Sequence, residues 1–364
     1  MDSGFLRRKT HAFKVGGVGI GGDYPISIQS MTNTDSHDIS ATERQVRMLS
    51  ESGCDIVRLA IPDVEAARTI GVLKERGVSV PLVADIHFDY KIALAAVSAG
   101  VDKIRINPGN IGSREKTEAV VRACRENGIP IRIGVNSGSV EKNILAKHGG
   151  PTAEALVESA ISHANILREL DFHDVAISVK ASDVITMIKA NRLLAEKTDY
   201  PIHLGVTEAG ARMRAVVKSS IGIGALLSEG IGDTIRVSLT DDPREEVACA
   251  KNILSSLGLT DTRGMDIVSC PTCGRTKINL IPMLSEFEEK TKNMGLDKYC
   301  IKVAFMGCAV NGPGEAREAD IGVAGGLGEG LLFKKGEIIR KIPENALVDE
   351  LIREIIKMKD AEEK

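Results

Sequence analysis

The chain repeats a unit that is clearest in Ile56-Val57-Arg58-Leu59-Ala60-Ile61, in the segment 64–76 that follows, and in Gly77. The six-residue run is rich in aliphatic residues and predicts a buried strand, whereas the next segment has apolar residues at helical spacing. A glycine directly after such a segment suits the left-handed end of a helix. Eight such units in about 230 residues are typical of a closed (β/α)8 barrel.

A doubly wound open sheet is the alternative fold, because the same alternation builds both and strand order cannot be read from a sequence. Residues 11–25 are rich in glycine and predict a small hairpin, which we expect to plug the barrel floor. The predicted strands are 26–31, 56–61, 81–86, 103–108, 131–135, 175–180, 202–206 and 235–239. The predicted helices are 42–52, 64–76, 90–99, 113–127, 152–170, 183–197, 211–229 and 243–257.

The pattern changes after Gly258. Short strands are predicted at 265–269, 301–306, 320–324, 330–334 and 337–341, with helices at 280–292 and 346–359. Glycines separate the last three strands and indicate antiparallel pairing. We therefore predict an α/β TIM-type barrel over residues 1–258 and a smaller α+β domain over residues 259–364.

Charge and composition disfavour several classes of protein. The formal net charge is −3 and the pI is about 6.2, so a general nucleic-acid or membrane-surface role is not indicated. No apolar run approaches the length of a membrane span, and the start of the chain is polar and basic, without a signal-peptide core. Seven cysteines without such a signal indicate reduced thiols or metal ligands. We expect a cytoplasmic protein.

Three cysteines lie in two loop motifs rich in glycine and proline. The first reads Ser269-Cys270-Pro-Thr-Cys273-Gly-Arg275, and the second reads Met306-Gly-Cys308-Ala-Val-Asn-Gly-Pro-Gly-Glu315. Thiolates select soft metals, chiefly zinc and iron–sulfur clusters. Three sulfurs without a nearby fourth Cys or His make a poor structural zinc site. Three Cys and an oxygen ligand suit a cluster with one weakly held iron.

Other interpretations of the cysteines stay open at this point. The C-x-x-C pair could be a redox or buried pair, with Cys308 an unrelated core thiol. Cys300 competes with Glu315 as a fourth ligand by count alone, although Glu315 shares the loop of Cys308. Three further cysteines fall on or beside predicted helices and are expected to be core thiols: Cys54, Cys124 and Cys249.

The predicted barrel strands carry cations on their lumen side. Side chains alternate across a strand, so the apolar set of 175–180 faces the helices and leaves Lys180 in the lumen. The same alternation points five cations from five strands inward: Arg58, Arg105, Arg132, Lys180 and Arg236. Burying them without a partner is costly, and Arg is well shaped to bind phosphate oxygens. We therefore expect a polyanionic ligand at the C-terminal mouth, where such barrels place their sites.

The competing interpretation pairs each of these cations with a carboxylate. Asp85 and Glu208 end the third and seventh predicted strands and could pair with two cations, which leaves three unpaired. His87 lies beside Asp85. The remaining histidines that lack a partner pattern are expected at the surface: His11, His37, His148, His163 and His173.

Together these motifs resemble the 4-hydroxy-3-methylbut-2-enyl diphosphate synthase family in its bacterial two-domain form. The resemblance runs essentially end to end. Besides the cysteine motifs it includes Ser27-Ile-Gln-Ser-Met-Thr-Asn-Thr34, Ala84-Asp-Ile-His-Phe88, Arg105-Ile-Asn-Pro-Gly-Asn110 and Ile133-Gly-Val-Asn-Ser137.

The resemblance implies the reductive ring opening of 2-C-methyl-D-erythritol 2,4-cyclodiphosphate, in which two electrons enter and a hydroxyl leaves as water. It implies a 4Fe–4S cluster held by Cys270, Cys273, Cys308 and Glu315, with flavodoxin or ferredoxin as electron donor. The implied diphosphate-binding residues are Arg58, Arg105, Arg132, Asn136, Lys180 and Ser238, and the lumen position of Arg236 adds it to them. Glu208 matches a proposed acid–base residue of the family, and Asp85 and His87 lie near the diphosphate-binding residues. The resemblance also implies that Glu315 could release its iron so that the iron can bind a substrate oxygen.

The resemblance and the chain geometry both indicate a head-to-tail homodimer. The last helix of a barrel ends at the floor, and the linker 258–264 spans at most about 24 Å. The cluster of one subunit would therefore cover the barrel of the other.

Two other classes of protein are alternatives to this function. One is a non-redox phosphate-binding barrel enzyme with a structural zinc domain, and the second is a nucleic-acid-binding protein with a zinc module. The near-neutral charge fits the second of these poorly.

Overall fold

The computed structural model describes residues 6–260, 264–308 and 317–362. They form two compact units that divide after Thr260, each with its own apolar core. In these described parts of the chain, no helix is long and apolar enough to cross a membrane.

The first unit alternates strands and helices in the predicted order. A hairpin of β1 (Phe13–Val15) and β2 (Val18–Ile20) precedes β3 (Ser27–Met31), β4 (Ile56–Ala60), β5 (Leu82–Asp85), β6 (Lys103–Ile106), β7 (Ile131–Asn136), β8 (Val175–Lys180), β9 (His203–Leu204) and β10 (Thr234–Ile235). The helices are α1 (Ile39–Glu51), α2 (Val64–Glu75), α3 (Tyr90–Ser98), α4 (Arg114–Glu126), α5 (Lys142–His148), α6 (Ala153–Glu169), α7 (Val184–Lys197), α8 (Arg212–Ser228) and α9 (Pro243–Ser256).

Local sequence signals begin and end these helices. The side chains of Asp38, Asp63 and Asp183 accept backbone N–H groups in the first turns of α1, α2 and α7. Gly77 follows α2 with a φ of 76°, the left-handed conformation that glycine adopts without steric cost. The sequence thus sets where these three helices begin and where α2 ends.

The strands close into a barrel. Strands β8-β7-β6-β5-β4-β3-β10-β9 lie side by side in that order, and all neighbours are parallel. A parallel bridge between Ile177 of β8 and Ile202, just before β9, joins the two ends of this sheet. The predicted barrel is thus confirmed over the open doubly wound sheet.

The two faces of the strands have opposite roles. In β8, Val175, Ile177 and Val179 belong to the large core between strands and helices. Ala176 points the other way and packs in the lumen against the hairpin residues Phe13, Val15 and Ile20, together with two further lumen residues, Ile56 and Val83. The hairpin therefore plugs the floor, as predicted, and the upper lumen is left to polar residues.

The last two barrel strands are shorter than predicted. Residues 205–206 and 236–239 lie outside the observed strands. Arg236 N still donates to Leu204 O of β9, whereas Leu239 N donates to the Glu246 carboxylate. Helix α5 was not predicted, since its seven residues include a single buried one, Ile144, and show no clear apolar face.

The second unit is a mixed sheet with helices. Strands β11 (Asp266–Ser269), β12 (Lys302–Met306), β13 (Ile321–Gly325), β14 (Glu329–Lys334) and β15 (Glu337–Pro343) lie side by side in sequence order. The first three are parallel and the last three antiparallel, as predicted for that group. Helices α10 (Leu280–Asn293) and α11 (Leu347–Glu362) pack on the sheet through Phe287 and Leu351.

Candidate functional site

The barrel lumen collects the five predicted cations, Arg58, Arg105, Arg132, Lys180 and Arg236, which we call the mouth cations. Three of them are almost inaccessible to water: Arg132 is 1% exposed, Lys180 5% and Arg105 7%. Burial and the charges of the other mouth cations lower the pKa of Lys180 well below its usual range. Positive charge is therefore costly in this lumen, where water cannot screen it.

Asp85 lies between two of the mouth cations. Its Oδ1 is 3.1 Å from Arg105 Nη1, and its Oδ2 is 3.5 Å from Arg58 Nη2. Burial favours a higher pKa for Asp85, but the neighbouring charges of Arg58 and Arg105 outweigh it and hold the pKa below its ordinary value. Asp85 thus supplies a negative charge that holds both guanidiniums in place.

A second counter-charge, Glu246, was missed from the sequence. Its Oε1 lies 3.2 Å from Arg236 Nη2, and its Oε2 accepts a 2.7 Å hydrogen bond from Ser30 Oγ. Glu246 is buried on the inner face of α9 together with Val247, Ala250 and Ile253. A carboxylate on the apolar face of a predicted helix was the signal that could have identified it.

Arg132 and Lys180 have no carboxylate partner in the described residues. Arg132 Nη1 donates to Gln29 Oε1 over 2.8 Å, but its Nε is buried without a partner. Lys180 Nζ forms no hydrogen bond there either. The expectation that Glu208 could neutralise a mouth cation is wrong, because Glu208 is exposed and has no ion pair in the described part of the chain. The lumen therefore keeps an excess of positive charge.

Glu208 occupies an unusual place on the mouth loop after β9. Its φ is 51°, in the left-handed region that residues other than glycine rarely adopt. Such a conformation costs on the order of 1 kcal/mol and persists where the surrounding structure enforces it. Strain of this kind is common at functional sites.

His87 and Asn136 lie at the ends of their strands. Arg105 Nη1 lies 3.0 Å from His87 Nε2, within hydrogen-bond distance. Asn136 is half-buried at the end of β7, and its N–H donates to Ser139 Oγ over 2.9 Å. Ser238 is half-buried beyond β10. These groups come from the same edge of the barrel as the mouth cations.

Glycines make room for two of the cations. A Cβ on Gly205 would lie 2.8 Å from Lys180 Nζ and 2.7 Å from Arg236 O. A Cβ on Gly134 would overlap the guanidinium of Arg105, which donates to Gly134 O over 2.7 Å. The lumen therefore needs residues without side chains beside its long cations.

One predicted surface histidine is buried. His163 of α6 is 2% exposed, and its Nδ1 accepts a hydrogen bond from Gly109 N over 3.1 Å. Its Nε2 lies 2.8 Å from Glu141 Oε1. His163 therefore connects the loop after β6 with the loop after β7, a long-range contact that leaves no local sequence pattern.

The cysteine motifs follow adjacent parallel strands of the second unit. Cys270 comes directly after β11, and Cys308 follows β12, so both lie at the same edge of the sheet. Gly307 N donates to Cys270 Sγ over 3.1 Å, and Lys277 N donates to Gly307 O over 2.8 Å. The two loops are thus in direct contact. Glu315, the predicted oxygen ligand, lies outside the described residues.

The thiols differ sharply in environment. Burial raises the pKa of Cys54 and of Cys124 to about 12, which suits inert core thiols as predicted. Cys273 is exposed, and its hydrogen bonds with Arg275 lower its pKa. Within residues 6–260, 264–308 and 317–362, no three His, Cys, Asp or Glu side chains are grouped closely enough to hold a metal ion. A sulfur that accepts an N–H bond and an exposed thiol nevertheless suit metal ligands.

Cys300 is poorly placed to share a site with Cys308. It precedes β12 whereas Cys308 follows that strand, so the two cysteines flank opposite ends of it. The five residues Lys302–Met306 alone span about 13 Å at the rise of an extended chain.

Comparisons with known proteins match both parts of the chain to one family. Family models described as the GcpE TIM-barrel domain and the GcpE protein C-terminal domain match residues 10–251 and 266–357. The chain is 59% identical over 347 residues to 4-hydroxy-3-methylbut-2-en-1-yl diphosphate synthase (flavodoxin) of Clostridium perfringens, which covers 95% of this chain and 98% of that relative. It is 58% identical to the protein of the same name from Ruminiclostridium cellulolyticum, over 98% of this chain and 100% of the relative. The identity to the Bacillus subtilis protein of that name is 56%, over 96% and 91%.

Solved structures support the barrel fold alone. A type I 3-dehydroquinate dehydratase from Clostridium difficile superposes with a TM-score of 0.50 at 14% identity, and the match covers 69% of this chain and 97% of that chain.

The first prediction concerns the buried carboxylate. Asp85→Asn should reduce the free energy of unfolding by about 3 kcal/mol, because it leaves Arg58 and Arg105 without their counter-charge. Urea unfolding at neutral pH measures this, with the exposed Asp23→Asn as the matched control. The pKa of Asp85 is lowered in the folded state, so its contribution is full above the unfolded pKa of about 3.9 and is lost as the pH falls below it. The difference between wild type and variant should therefore shrink below about pH 4, and equal stability at neutral pH would contradict this role.

Proposed function

Because the chain belongs to the GcpE family, we propose that it is an iron–sulfur oxidoreductase that converts 2-C-methyl-D-erythritol 2,4-cyclodiphosphate into (E)-4-hydroxy-3-methylbut-2-enyl diphosphate. The relatives that it matches over nearly their full length are named as the synthase of that product. The alternative of a non-redox barrel enzyme with a structural zinc domain is not supported by these relatives. The reaction belongs to isoprenoid precursor biosynthesis.

The observation that carries the proposal is the unpaired positive charge of the lumen. Arg132 and Lys180 are nearly fully buried, and no described carboxylate pairs with either. A dianionic cyclodiphosphate supplies the missing charge, and guanidinium groups bind phosphate oxygens in pairs. Arg58, Arg105 and Arg236 complete the anion site, and Asn136 and Ser238 add neutral hydrogen-bond partners at its edge.

The cysteine loops support a metal site of the second unit. We propose that Cys270, Cys273, Cys308 and Glu315 hold a 4Fe–4S cluster. Contact between the two loops through the Gly307 N–H and Cys270 Sγ draws the motifs together, and three thiolates with one carboxylate suit a cluster with one labile position. When bound, the cluster supplies the two electrons and a Lewis-acidic iron, and flavodoxin, which the relatives' name specifies, or ferredoxin would reduce it.

The protein's own groups then have distinct tasks. The mouth cations bind and orient the diphosphate, and Asp85 holds Arg58 and Arg105 in the required positions. The electron pair enters the carbon skeleton, the ring C–O bond to phosphate breaks, and the hydroxyl leaves as water after it gains a proton. Glu208 is our candidate donor of that proton, since it is an exposed carboxyl on the mouth loop and is held in a strained conformation. The contact of His87 Nε2 with Arg105 helps to orient that guanidinium from the solvent side.

We also propose a head-to-tail homodimer. Helix α9, Pro243–Ser256, begins near the mouth and ends near the floor of its own barrel, about 21 Å away at the rise of a helix. The connection to β11 starts there, on the side away from the mouth cations. A second copy of the chain can bring its cysteine loops to this mouth without stretching that connection.

The direct test of function is turnover by the anaerobically prepared holoenzyme with reduced flavodoxin and the cyclodiphosphate, followed by mass spectrometry of the linear product. Lys180→Met should weaken substrate binding by about 2 kcal/mol, roughly 30-fold, because a charge-assisted bond in a buried site is lost. The exposed Lys189→Met on the neighbouring helix is the control and should bind normally. Absence of product, or an unchanged KM in Lys180→Met, would refute the assignment.

A further test separates the candidate cluster ligands. Cys308→Ser should lose iron and acid-labile sulfide, whereas Cys300→Ser should retain both, since Cys300 lies at the other end of β12. Iron and sulfide analysis after anaerobic purification measures this. Retention of the cluster in Cys308→Ser would overturn the ligand set. The same conclusion would follow if Cys300→Ser lost the cluster while Glu315→Ala kept both its cluster and its activity.

Subunit mixing tests the dimer. A Cys270→Ser chain and a chain with both Arg132→Met and Lys180→Met should each be inactive. When the two are co-expressed with different tags, one of the two sites in a mixed dimer combines an intact barrel with an intact cluster, so activity should return. Purified mixed dimers without turnover would place both halves of the site in one chain.

A further inference from the structure

Beneath the mouth cations, the lumen contains a second polar layer that the proposed function does not use. Lys103 of β6 is fully buried, and its Nζ has no hydrogen-bond partner among the described residues. Ser27 Oγ, Gln29 Nε2 and His203 Nε2 are buried polar atoms without partners as well. Across the β5–β6 pairing, Lys103 faces Val83, which belongs to the apolar plug of the floor. Lys103 therefore lies between the plug and the anion site.

The charges that act on Lys103 are positive. Arg132 on β7 and Arg58 on β4 are its charged neighbours, and His203 on β9 is the titratable one. Burial and the surrounding cations lower the pKa of His203 well below its usual range, so its ring is neutral. Asp85 on β5 is already engaged by Arg58 and Arg105. Burial and the two guanidiniums likewise lower the pKa of Lys103 well below that of a free lysine, so its proton is weakly held in the empty barrel.

An anion at the mouth weakens this positive field. The cyclodiphosphate brings two negative charges to Arg132 and Arg58, the same groups that repel a proton from Lys103. Charges separated by a poorly hydrated interior interact strongly, so the positive potential at Lys103 falls when negative charge is added beside Arg132 and Arg58. We propose that Lys103 takes up a proton together with the bound diphosphate and acts as a reserve cation of the anion site. This inference rests on the proposed diphosphate binding by the mouth cations.

The arrangement solves a physical problem. A further permanent charge would add repulsion to the empty lumen, whereas an amine that gains its proton when the ligand binds adds attraction in the bound state only. The linkage has a definite sign. The pKa of Lys103 rises on binding, so between its free and bound values the affinity falls as the pH increases, by at most about tenfold per pH unit from this group. Above the bound value, Lys103 contributes no charge in either state.

Calorimetry can count the protons. The cyclodiphosphate is suitable because each of its phosphates has one ester and one anhydride bond in the ring. Each phosphate therefore keeps a single strongly acidic proton, which is lost well below neutral pH. Titration of the oxidised holoenzyme without reductant, in buffers of different ionisation enthalpy, gives the number of protons bound with the ligand. Lys180 is expected to take up a proton by the same mechanism, so the informative quantity is a difference between variants. Lys103→Met should bind about one proton fewer than wild type.

Two controls make the experiment specific. Exposed Lys91→Met should match wild type, and His203→Gln should also retain the wild-type proton count. Affinities of wild type and Lys103→Met should converge at high pH and separate as the pH falls. Equal proton counts in wild type and Lys103→Met would overturn the proposal, and so would a lower count in His203→Gln instead of Lys103→Met. A wild-type count of zero would also overturn it, even if no variant folded. If the wild type does not bind the cyclodiphosphate at all, the proposed function itself fails, which is a distinguishable result.

Discussion

Positive charge held away from water is the constraint on which the rest of this barrel depends. The lumen contains the mouth cations and Lys103, and the described carboxylates that meet them are Asp85 and Glu246. A buried charge without a partner is among the most costly features of a folded protein. The inward turn of Glu246 from α9 and the missing side chain at Gly205 both follow from the need to accommodate these cations. Among the described residues, no carboxylate meets Arg132 or Lys180.

The same constraint connects stability with function. An apolar lumen would stabilise the barrel more, whereas this lumen keeps unpaired cations and gains stability from any anion that binds the folded state only. The left-handed backbone of Glu208 at the mouth adds conformational strain, which proteins often retain at functional sites. The apolar plug of Phe13, Val15 and Ile20 closes the floor, so the electrostatic interactions above it act in a medium of low polarity.

The cysteines show how environment separates chemical roles within one residue type. Cys54 and Cys124 lie in the barrel core, where burial suppresses thiolate formation, whereas Cys273 is exposed on a loop whose hydrogen bonds favour the thiolate. Parallel pairing of β11 and β12 brings the Cys270 and Cys308 loops to one sheet edge. Parallel pairing is therefore sufficient to bring two loops that are distant in the chain into contact.

The sequence by itself determined the elements and the character of the site. Alternation of strand and helix signals predicted the barrel, the two-residue period of β8 separated Val179 from Lys180, and the cysteine spacing predicted a soft-metal site. Only the tertiary structure decided which charges are neutralised. Asp85 meets Arg58 and Arg105, Glu246 rather than Glu208 meets Arg236, and His163 is buried between two loops. These outcomes depend on contacts between residues far apart in the chain, and on desolvation, which is a property of the closed lumen. No local pattern encodes either one, because burial of a charge is decided by everything that surrounds it.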